Sequence, residues 1–357
     1  MNPSPTHAIP DEAPQGHAAH KNDKGYSQLT PDTVLEALDA VGLRGDGRIL
    51  QLNSYENRVF RVLLEDGGAV VAKFYRPGRW SDAQIHEEHG FALSLTEAEV
   101  AVMPPLRLQL LPPAPDHALV SGPQSTLLHW PLRTGSEHRI SLSPWLGGRD
   151  PDIESTDAFE RLGRLIGRVH AVGAAQPFEH RLTLSPALGL QAIDTLQALQ
   201  VVDPALAPRW ESAARTALDA VVRAFERAGT AQIRLHGDAH RGNLLERDAT
   251  LHLVDLDDAC NGPPMQDLWL FLDGQDGEDR RRQLHALLRG YEDFMDFDDA
   301  QIALIEPLRT LRLLRHSAWI AQRWSDPAFP IAFPGFGSPN HWADQTVQLQ
   351  EQADRMG

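Results

Sequence analysis

His236-Gly237-Asp238-Ala239-His240-Arg241-Gly242-Asn243 lies between two short β-type runs, Ile233-Arg234-Leu235 and Leu251-His252-Leu253-Val254, and Asp255 follows the second run directly. The loop therefore offers a carboxylate near its start and an amide at its end, facing a second carboxylate at the end of a strand. Phosphoryl transfer needs little more than this: a base that orients and deprotonates an attacking hydroxyl, and oxygen ligands that hold magnesium against nucleotide phosphates. Asp238 is the candidate base. Asn243 and Asp255 are the candidate magnesium ligands, and Asp255 counts with Asp238 among the catalytic residues. The spacing His-x-Asp-x-x-x-x-Asn is that of a protein-kinase catalytic loop, and Asp255 stands where the metal-binding Asp of such an enzyme follows its strand.

Two other readings compete for the same residues. Asp and Asn beside Gly are ordinary turn formers, but a bare turn does not explain the whole string from His236 to Leu245 followed by Val254-Asp255. His236, Asp238 and His240 also alternate like zinc ligands; a zinc hydrolase would add further His ligands at fixed spacing, and none stands nearby in the sequence. His236 then reads as a brace of the loop, with the role of His240 left open.

Outward from the loop, a second signal comes from lysine usage. The 33 basic residues include only Lys21, Lys24 and Lys73 as lysines. Lys73 sits inside the apolar run Ala69-Val70-Val71-Ala72-Lys73-Phe74-Tyr75, where a compact ammonium on a flexible stem has been kept in a chain that otherwise uses arginine. Such a lysine reaches nucleotide phosphates when a helix carboxylate holds it. The next helix offers Glu87 and Glu88, and Glu88 is preferred because Phe91 and Leu95 then bury the adjoining face. No Gly-rich loop precedes Lys73; instead Asn53-Ser54-Tyr55-Glu56-Asn57-Arg58 reads as a polar turn, either an ordinary one or one suited to cover phosphates through backbone N–H groups and the Ser54 hydroxyl.

Periodicity divides the chain. A Pro- and His-rich leader, 1–28, reads as disordered. A mainly β lobe, 29–146, starts with a helix capped by Thr30, continues through strands at 48–53, 58–65 and 69–75 and a capping-box helix from about 82 to 98, and adds strands near 106–110, 117–120 and 126–130. A mainly helical lobe, 147–357, carries helical periodicity at 157–172, 190–199, 207–228, 264–272, 278–295, 300–323 and 340–355. The expected fold class is α+β, a bilobal protein-kinase-like fold.

Composition narrows the partners. A net charge of −16 argues against nucleic acid and anionic membranes, both of which call for a basic surface. No apolar run approaches the roughly 18 residues of a membrane span, and the first residues lack the pattern of a signal peptide. The expectation is a cytoplasmic monomer. Cys260, the single cysteine, reads as a buried thiol.

The strings Asn53–Val59, Val71–Pro77, Glu87–Leu93, Leu235–Leu244 and Val254–Ala259, with Gly262–Trp269, Ile305–Arg309 and Arg323–Pro330, resemble the bacterial stress response kinase A family of the aminoglycoside phosphotransferase and choline kinase superfamily. The likeness runs over roughly 30 to 350. It implies an ATP- and magnesium-dependent serine/threonine protein kinase acting in stress survival. It makes Asp238 the base, Asn243 and Asp255 the magnesium ligands, Ser54 a nucleotide contact, and Asp267 a buttress of the catalytic loop. Few residues separate Asp255 from Asp267, too few for an activation segment ordered by phosphorylation, so the enzyme is expected to be constitutively competent.

Two further functions compete with this one. A small-molecule kinase of the same fold, acting on an amino alcohol, aminoglycoside or homoserine-like hydroxyl, shares base, metal and ATP site; Asp257, Asp258, Trp269, Trp319 and Trp324 would line its pocket or belong to the core. A dead nucleotide-binding scaffold is disfavoured by the intact set Lys73, Asp238, Asn243 and Asp255.

Overall fold

Strand alternation builds the first lobe. In the run Ala69–Phe74, Val70, Ala72 and Phe74 are buried on one face, so Lys73 projects from the other, as a period of two requires. The computed structural model describes residues 26–132, 137–229, 231–272 and 277–357. Within them six strands form an antiparallel sheet: β1 (Gly45–Leu52), β2 (Arg58–Leu64), β3 (Ala69–Phe74), β4 (Leu119–Ser121), β5 (Leu127–Pro131) and β6 (Glu137–Pro144), in the order β1-β2-β3-β6-β5-β4. The β2–β3 hairpin closes through Asp66-Gly67-Gly68, where Gly67 has φ +87° and Asp66 accepts the Gly68 amide at 2.8 Å.

Strand β6 is absent from the sequence reading, yet it is central and pairs with both β3 and β5. Its buried face is His138, Ile140 and Leu142. Only two of these are aliphatic, so the alternation is weak. The strand expected near 106–110 forms no ladder: the Leu106 amide reaches Leu142 O and the Leu108 amide reaches Ser125 O, each at 2.7 Å. Pro104 and Pro105 supply no N–H just before it.

Helix α1 (Pro31–Asp39) is capped by Thr30 and packs its buried Val34, Ala37 and Leu38 into the core of this lobe with Val62, Phe74, Trp130 and Ile140. Helix α2 (Asp82–Glu97) starts on the Ser81/Gln84 capping box. Its Phe91 and Leu95 join the core of the second lobe, so the helix that carries Glu88 is anchored beyond its own sheet. The expected leader, 1–28, lies outside the described residues except for its last three. There Tyr26–Gln28 form a 3-10 turn, with Tyr26 buried and Arg58 stacked 4.5 Å over its ring, so ordered chain begins before residue 29.

The second lobe is helical: α3 (Thr156–Gly173), α4 (Pro186–Ala198), α5 (Ala207–Ala228), α6 (Gln266–Trp269), α7 (Glu278–Tyr291), α8 (Ile305–Gln322), α9 (Ala328–Ala332) and α10 (Pro339–Met356). Helix α9 was not expected. Trp210 of α5 meets Trp342 of α10 edge to face at 5.8 Å, and both are buried in one large core. Two short ladders interrupt the helices, β7 (Ile233–Leu235) with β10 (Cys260–Gly262), and β8 (Leu244–Arg247) with β9 (Thr250–Leu253). Between them they fix the two ends of the polar loop. Cys260 is buried, and burial pushes its thiol up to about 12. Among the described residues no helix is long and apolar enough to cross a membrane.

Candidate active site

Strand β7 delivers the loop, and the turn that follows admits only glycine: Gly237 has φ +86°, and a Cβ there would lie 2.1 Å from Asp258 O. The amides of His236 and Gly237 both donate to Asp267, at 2.7 and 2.8 Å. Asp267 is fully buried at the start of α6, and its Oδ2 also lies 3.1 Å from His170 Nε2. Charge-assisted bonds of this kind are about twice as strong as neutral ones, so one carboxylate fixes the loop's entry. Gln266 adds a hydrogen bond to Gly237 O at 2.9 Å.

Both nitrogens of His236 are engaged inside the loop. Nδ1 accepts from the Asp238 amide at 3.3 Å and Nε2 donates to Val254 O at 2.9 Å, which sets a neutral tautomer and ties the loop to the segment before Asp255. A buried imidazole bonded in this way is a brace and has no lone pair left for zinc. His240 Nδ1 accepts from the Gly242 amide at 3.0 Å, leaving its Nε2–H to face Asp238 Oδ2 at 3.3 Å.

Asp238 carries two positive or donating neighbours. Arg312 of α8 places Nη1 2.5 Å from Oδ1, and His240 faces Oδ2. Burial pushes the carboxyl up, but the His240 hydrogen bond and the Arg312 guanidinium outweigh it and hold Asp238 well below the usual carboxylate range. Asp238 is thus ionised at neutral pH, the state a hydroxyl-activating base must be in. Asn243 donates from Nδ2 to Asp238 O at 2.9 Å, so its Oδ1 is the atom left for a metal.

Asp255 adopts a left-handed conformation, φ 64°, rare for a residue with a Cβ and a mark of functional segments. Its side chain is 58% exposed. Magnesium takes one or two protein oxygens and completes its shell with phosphates and water, so an exposed Asp255 with Asn243 Oδ1 is a donor set that fits it.

Lys73 lies 3.3 Å from Glu88 Oε1, 2.7 Å from Asp257 Oδ1 and 3.7 Å from Asp255 Oδ1. Burial pulls the ammonium down, but these carboxylates, Asp257 first, raise it well above the usual lysine value. Glu87 faces elsewhere and accepts the amides of Glu179, His180 and Arg181 at 2.6, 2.9 and 2.9 Å. Arg181, fully buried as a side chain, connects Glu88 Oε2 at 3.5 Å to Ala259 O at 2.6 Å. Ser54 accepts the Asn57 amide at 3.3 Å and so closes the β1–β2 turn on itself.

Sequence reasoning missed Asp257 as a partner of Lys73, Arg312 as a partner of Asp238, and Arg181. The sequence groups Asp257 with Asp258 and three tryptophans as a pocket wall or core. It is 6% exposed at its side chain and turned towards Lys73. Trp269 is buried in the core, while Trp319 and Trp324 pack partly buried against it. Only the run of three carboxylates in Asp255-Leu256-Asp257-Asp258 hinted at Asp257; nothing local marked Arg312, 74 residues from Asp238 in the chain.

The sequence profile of a phosphotransferase enzyme family matches residues 48–305 of the chain. Stress response kinase A of Salmonella choleraesuis is 41% identical over 339 residues, spanning 93% of this chain and 95% of that protein. The serine/threonine protein kinase RdoA of Salmonella typhimurium matches at the same identity and coverage. Among solved structures, an amicoumacin kinase in complex with AMP-PNP, Ca2+ and Ami superposes with a TM-score of 0.69 at 16% identity, over 90% of this chain and 92% of that one.

Proposed function

We propose that this chain, which belongs to the phosphotransferase enzyme family and is a relative of stress response kinase A, transfers the γ-phosphoryl group of ATP to a serine or threonine hydroxyl of a protein. The observation that carries the reading is Asp238, held ionised by Arg312 and His240 on a loop whose other end presents Asn243 and whose neighbouring strand ends at Asp255. Asp238 accepts the proton of the attacking hydroxyl and aims its oxygen at the γ-phosphorus. Asn243 and Asp255 would hold magnesium, which when bound would neutralise charge on the phosphate oxygens. Lys73, steadied by Glu88, contacts the α- and β-phosphates, and the turn bearing Ser54 covers them. With this reading go a monomeric state and a cytoplasmic setting, where ATP is supplied.

The protein substrate is supported by the likeness to a serine/threonine protein kinase, since base, metal and nucleotide sites do not distinguish it from a small hydroxyl compound. Constitutive competence is supported by the chain between Asp255 and Asp267, which is taken up by the 3-10 turn Leu256–Asp258, by β10 and by the start of α6. Incubation with γ-labelled ATP, magnesium and parallel panels of proteins and amino alcohols tests the reading. Label is expected on protein serine or threonine; label confined to small hydroxyl compounds overturns it.

A further inference from the structure

Glu56 is a turn residue, and a glutamate in a β-turn is by default solvated. Here its side chain is only 12% exposed. Arg76 and Arg79, which follow β3, approach its two oxygens at 3.0 Å each. Across the cleft, Trp319 of α8 donates to Oε2 at 2.7 Å, and Arg323 just beyond α8 lies 2.7 Å from Oε2 and 3.0 Å from Oε1. A carboxylate buried among three guanidiniums is costly unless the geometry is kept. The contacts therefore fix the turn that carries Ser54 to a helix of the other lobe.

The same helix reaches the catalytic carboxylate. Arg312, Trp319 and Arg323 are seven and four residues apart, which puts them on one face of α8 and its C-cap, with Arg312 and Trp319 about 10 Å apart along the axis. Arg312 touches Asp238 at one end of the stripe, and Trp319 and Arg323 touch Glu56 at the other. Arg79 makes a second link from Glu56 to Asp258 at 2.5 Å, three residues past Asp255.

We propose that Glu56 is a positioning residue whose clamp to Trp319 and Arg323 sets the phosphate-covering turn at a fixed height above Asp238, with α8 as the spacer. The inference rests on the functional reading given above for Asp238 and Ser54. Its physical basis is preorganisation. A free turn loses conformational entropy each time it closes over phosphates, whereas a clamped turn has lost it on folding.

Binding of the magnesium complex of AMP-PNP, measured by calorimetry, tests the clamp in Glu56→Gln, Arg323→Gln and the double variant. Each single variant is expected to bind about tenfold more weakly, and the double variant no more weakly than the worse single one, because both remove one shared interaction. Arg323→Lys, which keeps the charge, is expected to fall between. Affinity within twofold of the parent in a folded Glu56→Gln protein, or losses that multiply in the double variant, overturns the clamp. Should Glu56→Gln not fold, Trp319→Phe carries the test by removing the 2.7 Å hydrogen bond while keeping an aromatic ring at the position; unchanged affinity there overturns the clamp as well. Asp238→Asn separates the two readings: undiminished turnover in that variant overturns the kinase role of Asp238, while weakened binding in the Glu56 series still supports the clamp.

Discussion

Lys73 Nζ lies 2.7 Å from Asp257 Oδ1, closer than to Glu88 Oε1 at 3.3 Å, although Asp257 belongs to the helical lobe and Lys73 to the sheet. The cleft is thus bridged at its base by a nearly buried ion pair, with side-chain exposures of 15% and 6%. In the function proposed above, nucleotide phosphates reaching Lys73 would displace or share this contact. Breaking a buried pair by deleting one partner costs about 3–5 kcal/mol when the survivor is left alone. In Asp257→Asn, Lys73 keeps Glu88 and Asp255, so a smaller loss of about 2 kcal/mol is expected in urea unfolding. The Asp257 carboxyl is held below the usual range: burial raises it, and Lys73 and Arg79 outweigh the burial. Its contribution is therefore complete above the unfolded carboxylate value, about 3.9, and shrinks as pH falls below that. Equal unfolding midpoints for the two proteins at neutral pH contradict the assignment.

Asp238→Asn keeps the shape of the proposed base and removes its ability to take a proton. Turnover is expected to fall by about 10²-fold or more, the usual contribution of a general base, with the affinity for magnesium–AMP-PNP little changed. Labelled-phosphate transfer and calorimetry on the same preparation check both halves. A variant with parental turnover contradicts the role of Asp238.

How much of this site could be read from the chain depends on whether a residue's partner is local. Asp238, Asn243 and Asp255 share one short segment and have a spacing fixed by their chemistry, so their placement was legible. Glu88 was legible more weakly, through the helical period of Phe91 and Leu95, and the structure turns it to Lys73 while Glu87 takes loop amides. Arg312 and Glu56 were not legible. Their partners lie 74 residues away, at Asp238, and 263 residues away, at Trp319, and an arginine on a helix or a glutamate in a turn carries no local sign of burial. In the fold, β6 escaped for a related reason. Its place at the centre of the sheet comes from pairing with β3 and β5, while its sequence, Glu137-His138-Arg139-Ile140-Ser141-Leu142, looks like an exposed strand.

Asp255→Ala removes the exposed carboxylate of the proposed metal pair and leaves Asn243 alone. Because magnesium is held by few protein ligands, losing one is expected to abolish the dependence of nucleotide affinity on the metal rather than to shift it. Titration of AMP-PNP with and without magnesium reads this directly. The left-handed backbone at this position, φ 64°, is also less natural for alanine than for aspartate, so Asp255→Asn serves as the control that keeps local hydrogen bonding. A metal-dependent gain in affinity that survives in both variants contradicts the ligand role.

Arg312 is the last group whose removal gives a signed outcome. It lies 2.5 Å from Asp238 Oδ1, and with the His240 hydrogen bond it overcomes burial to hold the carboxyl well below the usual range. His316 and Asp258 also lie within electrostatic range of this carboxyl, and neither contacts it as Arg312 does. A base with a depressed pKa is active above that pKa and loses activity as pH falls through it, so the parent enzyme is expected to keep its acid limb at low pH. In Arg312→Gln the carboxyl rises, and the acid limb of kcat/KM is expected to move up by about one pH unit or more, the usual effect of an adjacent arginine. If Arg312 acts only on the base, the rates of parent and variant converge above neutral pH, where both carry an ionised Asp238. Arg312→Lys keeps a positive charge and is expected to leave the limb near its original place. A pH–rate series on the three proteins decides the matter. A deficit in Arg312→Gln that is the same at every pH would mean that the guanidinium acts on the transferring phosphoryl group instead of on Asp238.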